Sequence, residues 1–483
     1  MNHQRGLDRN QTLLLPERLE EYIAPDNPVR FLDAFVASLD LYALGFTHAI
    51  VHNTGRPPYD PADLLKLYLY GYLHRLRSSR LLEAECHRNV EVIWLLGKLA
   101  PDFKTIADFR KDNVKPLQAV AREFTVLCRK LELFGGQLVG IDGTKLAGVN
   151  SKEANFNEKK LQELLGRADA QIAAYLEQLD QADATEASES KPTRGELEAK
   201  IAALREKRDW HEELLAGLRI EGDTQVSVSD EQTRRMRAGG GGSVVGYNAQ
   251  AAVDEQHKLI VAADVTNQET DVRQLSGMAR EAKENLGVEK LDVVADTGYC
   301  TTAEVVSCQA HGITPYVAKA DSSANTAQGL YGKSQFRYDV QKDLYVCPAG
   351  AQLTYRFSTE EKDRALRYYR ASSCASCPLK PQCTRNKANR TITREADEAV
   401  MEAMAARVTA HPEKMQLRKQ LCEHPFGTIK RFFGYTYFLL KGLPKVRCEW
   451  SLMTLAYNLK RVLNLVSFAQ LMKALGARAP QVA

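Results

Sequence analysis

Two aspartates occupy matching contexts in this chain. Asp142 follows the apolar run LVGI, Asp296 follows LDVVA, and each precedes a turn of small residues. Polar groups at strand ends of an α/β sheet face the crevice where ligands bind, so two strands can bring these carboxylates together although 154 positions separate them. Paired carboxylates suit a divalent cation: Mg²⁺ takes hard oxygen ligands and keeps part of its water, so two or three carboxylates suffice. The plainer alternative is that each aspartate only closes a turn. A third candidate is Glu423 in RKQLCEHPFGTIKRFFG, with Lys430 seven residues on, two helical turns away and able to share its face. A glutamate completing a two-metal site while a lysine reaches a phosphate is one reading, and a surface ion pair is the other. Pro425 fits a first turn or a kink of that helix, not an undisturbed interior.

Cysteines give a second constellation. Cys347, Cys374, Cys377 and Cys383 sit in YVCPAG and CASCPLKPQC, between the second aspartate and the glutamate. A C-x2-C pair with two further cysteines could offer four thiolates to tetrahedral Zn²⁺, against the alternative of four unmetallated thiols. The other six, Cys86, Cys128, Cys300, Cys308, Cys422 and Cys448, are scattered and read as small buried hydrophobes. Ten cysteines in 483 residues are too few for a disulfide scaffold.

The elements that must position these groups follow from composition and periodicity. The chain has 65 Lys+Arg against 61 Asp+Glu, a net charge of +4, with 44% hydrophobic, 26% charged and 8% aromatic residues, ordinary globular values. No run approaches the ~18 apolar residues of a membrane span, and MNHQRGLDRNQ is too polar for a signal peptide, so a soluble cytoplasmic protein is expected. Residues 12 to 133 read as helical: Asp60 caps a helix with Pro61 in its first turn, Leu64, Leu65, Tyr68, Leu69, Tyr72, Leu73 and Leu76 mark its buried face, and Thr105 with Asp108 predicts a further start. From Gln137, QLVGIDGTKLAGV is a strand. Residues 151–222 return to helix, with Leu165, Ala168, Ile172, Tyr175 and Leu179 at seam spacing, then the polar break DATEASESKPTR and a second helix carrying Leu197, Ile201 and Leu204. This predicts a helical hairpin, read as a structural protrusion or oligomerisation arm. After the loop GGGG (239–242), SVVGYNAQAAVD and KLIVAADVT form a β-hairpin; a helix over 271–286, the strand LDVVADTGY, a helix over 302–311 and the strand ITPYVAK follow. The order points to a mixed sheet with helices on its faces.

IDGTK around Asp142, GYNAQ at 246–250, ADTGY around Asp296 and EHPFGTIKR from Glu423 to Arg431 resemble the catalytic blocks of DDE transposases from bacterial insertion sequences. GRPPYDPADLLKLYLYGYLHRLRSSRLLEAECHRN and PDFKTIADFR are similar to the N-terminal domain of those proteins. The resemblance implies an α/β, RNase H-like mixed sheet with flanking helices, in which Asp142, Asp296 and Glu423 hold two Mg²⁺ or Mn²⁺ ions and cut and join DNA. It divides the chain into a helical N-terminal DNA-binding domain (1–135), catalytic core segments (136–150 and 223–320), a hairpin insertion (151–222), a Cys-containing insertion (321–410) and C-terminal core helices carrying Glu423 (411–470). Many relatives place a tyrosine and an arginine before the glutamate; here Arg418 and Lys419 are present and Met415 stands near the tyrosine's place.

Charge is unevenly spread. Residues 355–394 and 411–461 each hold 10 Lys+Arg and 3 Asp+Glu (+7), whereas the hairpin holds 11 and 16 (−5). Two basic segments beside a phosphoryl-transfer site fit a phosphate-tracking surface, with Lys430, Arg431, Arg418 and Lys419 as contacts. Arg75, Arg77, Arg80 and Arg88, with Ser78 and Ser79, form a candidate for recognising element ends. The partners expected are element ends, target DNA and a second copy of the chain, in the bacterial cytoplasm at the nucleoid. The competing functions are a DNA-binding regulator without catalysis and an RNase H-like nuclease.

Overall fold

The computed structural model describes residues 18–50, 57–183, 194–238, 241–319, 324–361 and 364–476. Among the described residues, a 3-10 turn (Leu19–Tyr22) is followed by six α-helices: α1 (Pro28–Ala37), α2 (Pro61–Leu73), α3 (Ser79–Arg88), α4 (Val90–Leu95), α5 (Phe103–Asp112) and α6 (Val114–Lys130). Asp60 accepts from Ala62 N at 2.8 Å and Pro61 fills the first turn of α2, whose Leu64, Leu65, Tyr68, Leu69 and Tyr72 are buried. The Thr105–Asp108 expectation needs correction. α5 is capped by Asp102, whose Oδ1 takes the N–H groups of both Lys104 and Thr105 at 2.9 Å, so Thr105 lies inside the first turn.

The central sheet is built from β1 (Leu138–Ala147), β4 (Arg234–Arg237), β5 (Ser243–Asp254), β6 (Ile260–Thr266), β7 (Leu291–Ala295) and β8 (Ile313–Val317); the short pair β2 (Asn155–Asn157) and β3 (Gln225–Ser227) lies outside it. β5 runs antiparallel to β1 and to β6, whereas β7 is parallel to both β1 and β8. Across the sheet the order is β6-β5-β1-β7-β8, with β4 on the outer edge of the start of β5. An antiparallel meander of three strands followed by two parallel ones, with the first strand in the middle, is an RNase H-like core. The buried helix α9 (Leu275–Leu286) and α10 (Thr302–Ala310) cover one face.

Between β2 and β3, α7 (Glu158–Asp183) and α8 (Arg194–Glu221) form the predicted antiparallel hairpin; Leu197, Ile201 and Ala168 are buried between the helices, and the tip of the polar break lies outside the described residues, as does part of the glycine run. After the short α11 (Ala324–Ala327), a second antiparallel sheet holds β9 (Arg337–Asp339), β10 (Leu344–Val346), β11 (Gln352–Glu361), β12 (Arg364–Ala371) and β13 (Thr391–Glu395), with α12 (Lys380–Cys383) before the last strand.

The chain closes with α13 (Glu398–Ala410), α14 (Pro412–Gly427), α15 (Leu443–Leu465) and α16 (Phe468–Ala474). α15 is buried along most of its length between the N-terminal helices and the sheet. Its polar groups are satisfied on both sides: Trp450 Nε1 donates to Gln250 O at 3.0 Å, and Asn458 accepts from Ile260 N and donates to Ile260 O. Glu449, fully buried, pairs with Arg77 Nη1 at 3.1 Å and accepts the N–H groups of Leu439 and Leu440. No helix among the described residues is long and apolar enough to cross a membrane.

Arg77→Ala leaves a buried carboxylate without its cation, and a loss of about 3–5 kcal/mol is expected. The thermal midpoint of Arg77→Ala should therefore fall sharply, and adding Glu449→Gln should recover part of it; a midpoint within a degree or two of the parent's contradicts the structural role of this pair.

Candidate active site

β1 and β7 are parallel neighbours with Ile141 paired to Ala295, so Asp142 and Asp296 come side by side one residue further on. Asp296 ends β7 and caps a short 3-10 turn, accepting from Gly298 N at 2.8 Å. Asp142 Oδ1 accepts from Gly143 N at 2.8 Å, and Oδ2 stands 3.7 Å from Arg418 Nη1. Burial, reinforced by the neighbouring Asp296 carboxylate, pushes the Asp142 carboxyl up to about 6.

The helix carrying Glu423 lies directly on β1. A Cβ on Gly140 would come 3.0 Å from Leu421 Cβ and 3.1 Å from Cys422 Sγ, so only glycine lets α14 approach this closely. Gly140 and Asp142 share a face by strand alternation, which brings α14 beside the aspartates. Glu423 is the residue after Cys422 and is exposed. Pro425 cannot donate to the helix ladder; the helix continues through it to Gly427 and then widens into a π-turn over Thr428–Phe432. The simple two-turn relation between Glu423 and Lys430 is thereby altered. Lys430 Nζ reaches the Lys145 carbonyl at 3.5 Å on β1, and burial holds its ammonium below the usual lysine range. Arg431 and Lys419 are exposed, and Met415 packs partly buried against the main core.

Sequence reasoning missed Asp271. The structure begins α9 at Leu275 rather than 271, which leaves Asp271 in the loop after β6. Its Oδ1 accepts from Asn248 Nδ2 at 2.7 Å, Gln250 Nε2 at 2.8 Å and Lys145 Nζ at 3.1 Å. Gln250 also accepts from the hydroxyl of the fully buried Tyr299. This polar raft lies directly over Gly143: a Cβ there would come 2.6 Å from Asp271 Oδ1 and 2.9 Å from Asn248 Oδ1. The blocks IDGTK and GYNAQ contain three of its members, so the missed signal was that their polar residues alternate onto one face. Asp271 Oδ2 looks toward Asp296, since a Cβ on Gly298 would lie 3.8 Å from the former and 3.0 Å from Asp296 Oδ1.

The N-terminal arginines separate into two groups. Arg77 is buried, bonded to Glu449 and the Tyr437 carbonyl and stacked against Tyr435 and Tyr437, so as a DNA contact it is corrected to a structural residue. Arg75 and Arg80 are exposed, over the rings of Phe432 at 4.0 Å and Phe103 at 5.1 Å; Arg88 pairs with Glu85. Arg75 thus abuts the π-turn after Glu423. Among the described residues, no three His, Cys, Asp or Glu side chains are already gathered as a metal-binding group. The donors beside Asp142 and Asp296 are nonetheless hard oxygens carrying excess negative charge, the chemistry a Mg²⁺ or Mn²⁺ ion requires.

Two family models match this chain. A transposase DDE domain matches residues 346–463, a span that holds Glu423 and Lys430, and a transposase domain of the DUF772 family matches residues 17–112, the helical N-terminal block. These two matched spans support a DDE transposase of insertion-sequence type. No curated protein matches it. Among solved structures, the piggyBac transposase synaptic complex with hairpin DNA is similar over 94% of this chain and 77% of its own, at 9% identity and a TM-score of 0.32, a likeness too remote to carry argument.

Two outcomes follow from this geometry. In metal-free buffer, the half-buried Asp142 carboxylate is expected to destabilise the fold. Its folded-state pKa is raised, so native protein keeps a proton that the unfolded chain has lost; stability falls as pH rises from about 4 to about 6 and stays reduced above. Asp142→Asn should raise stability near pH 8 by on the order of 2 kcal/mol, with the gain closing toward pH 4. A variant no more stable than its parent at pH 8 contradicts this. Gly143→Ala should cost about 1–3 kcal/mol by displacing the raft, and a neutral thermal midpoint would show that the raft yields freely.

Proposed function

We propose that this transposase binds the ends of its element and catalyses metal-dependent DNA strand cleavage and strand transfer, with Asp142, Asp296 and Glu423 as the metal-holding triad. The observation that carries this reading is the parallel β1–β7 register, which sets the two aspartates side by side beneath the helix bearing Glu423. Divalent ions bound there would activate the attacking oxygen and stabilise the leaving oxygen of an in-line displacement at phosphorus.

This chain's residues do the rest. Asp142 lies within β1 and Asp296 directly follows the end of the neighbouring β7, so both are positioned by a rigid sheet before DNA arrives. Arg418 keeps a cation against Asp142 Oδ2 and is placed to turn to a phosphate oxygen. Lys430, beside Lys145 on β1, and the exposed Lys419 and Arg431 extend this positive border along the basic segment 411–461. Arg75 and Arg80 carry it onto the N-terminal helical block, to which we assign end binding. Direct displacement by a water or a DNA 3′-hydroxyl needs no protein nucleophile. Joining two ends to one target favours a dimer or larger assembly on DNA.

The test is cleavage and joining of end-containing DNA. Asp142→Asn, Asp296→Asn and Glu423→Gln should each lose more than about 100-fold in cleavage while still binding the ends; full activity in Asp296→Asn overturns the assignment. Parent protein that binds ends without cutting in either Mg²⁺ or Mn²⁺ would instead be a regulator. In binding titrations against salt, Arg431→Ala should lower the slope of log K by about 1, and an unchanged slope removes Arg431 from the phosphate contacts.

A further inference from the structure

The second sheet has a very small core of its own. Phe336, Tyr345, Leu353, Tyr369, Ala371 and Ile392 form its buried cluster, and much of the β11 surface is exposed. Modules with so little apolar interior are commonly held by a covalent or metal staple. None of the cysteines is in a disulfide.

Cys347, Cys374, Cys377 and Cys383 all line one cavity of about 30 Å³ against this core, and its remaining wall is mainly apolar. Three of them head tight turns. Gly350 N donates to Cys347 O at 2.8 Å with Gly350 at φ +82°, Cys377 N donates to Cys374 O at 3.4 Å, and Lys380 N donates to Cys377 O at 3.1 Å. Such turns hold Cys347, Cys374 and Cys377 in short hydrogen-bonded loops. Arg390 N donates to Cys374 Sγ at 3.4 Å, a bond that strengthens when the sulfur is a thiolate. Arg390 itself is buried and fixes the loop by donating to the Cys383 and Tyr331 carbonyls.

We infer that these four thiols form a structural zinc site that closes the β9–β13 module. The four cysteines line one cavity, but among the described residues no three of them are gathered as a metal-binding group, so ligation requires their side chains to rotate together. The donor set decides the metal: four soft sulfurs with no carboxylate suit tetrahedral Zn²⁺ and not the hard ions of the aspartate site. All four positions are filled by protein, so the site is closed and structural rather than catalytic. Binding exchanges thiol protons for the ion, and no redox step is involved.

The test uses the full chain, purified under reducing conditions with zinc supplied, and reads metal content instead of transposition. About one Zn²⁺ per chain is expected, lost in Cys377→Ser and in Cys383→Ser and retained in Asp142→Asn, which separates this site from the aspartates. Because a serine variant can fail to fold, parent protein loaded with Co²⁺ provides a second readout: the visible bands of a tetrahedral tetrathiolate complex should appear and be displaced by Zn²⁺. Substoichiometric zinc together with no such cobalt spectrum overturns the inference, as does zinc content unchanged in folded Cys377→Ser. Either result leaves the assignment of Asp142, Asp296 and Glu423 untouched.

Discussion

Burial of α15 from both sides is the constraint on which the other elements depend. One flank packs against α2 and α6, and the other lies on β5 and β6, where Trp450 and Asn458 satisfy backbone groups of the sheet. A helix surrounded in this way cannot display a simple polar stripe, and polar groups inside it must find partners. Glu449 finds Arg77 and the backbone of Leu439–Leu440, which seats the segment after Phe433 beside the end of β1. Phe438 N donates to Ala147 O at 2.8 Å and Ala147 N donates to Thr436 O at 3.2 Å, so the strand of Asp142 is held at its far end by residues that α15 orders.

The sheet was legible in the sequence because its signals are local. Runs such as LVGI and LDVVA, and the β5–β6 hairpin around EQH, appear at their expected places, but β1 runs on through Asp142 to Ala147 because β5 pairs with it residue by residue, instead of turning after the aspartate as the chain does at Asp296. What was less legible depended on competition between neighbouring residues. Asp102 and Thr105 can both cap a helix; the aspartate takes two donors at once and starts α5 earlier. Asp271 seemed to open a helix, but three donors from β1 and β5 hold it in the loop before that helix. Periodicity along one segment carries no information about donors arriving from two strands.

Charge counting had a similar limit. The near-neutral total hides two segments of +7 and an acidic hairpin of −5. Within the basic regions, however, position decides use. Arg77 is enclosed by Glu449, Tyr435 and Tyr437, whereas Arg75, two residues earlier, is exposed against Phe432. An arginine cluster read from sequence therefore contained both a structural cation and surface cations, and only burial separates them.

The rigidity around Asp142 and Asp296 comes from groups beside the two aspartates. Burial, with the Asp296 carboxylate beside it, disfavours the charged form of Asp142, so the surrounding structure must hold this residue in place. It does so from two faces. On one, glycine at 140 admits α14 to backbone contact; on the other, glycine at 143 admits the Asp271 raft. The raft places a third carboxylate near the pair but answers its charge locally with Lys145 and two amides, so it stiffens β1 without adding a second uncompensated anion. Both supports need a missing side chain in the strand, one residue to either side of the Ile141–Asp142 step. A cation bound beside Asp142 would favour the charged form that burial disfavours, so the site's supports and its chemistry meet at the same carboxylate.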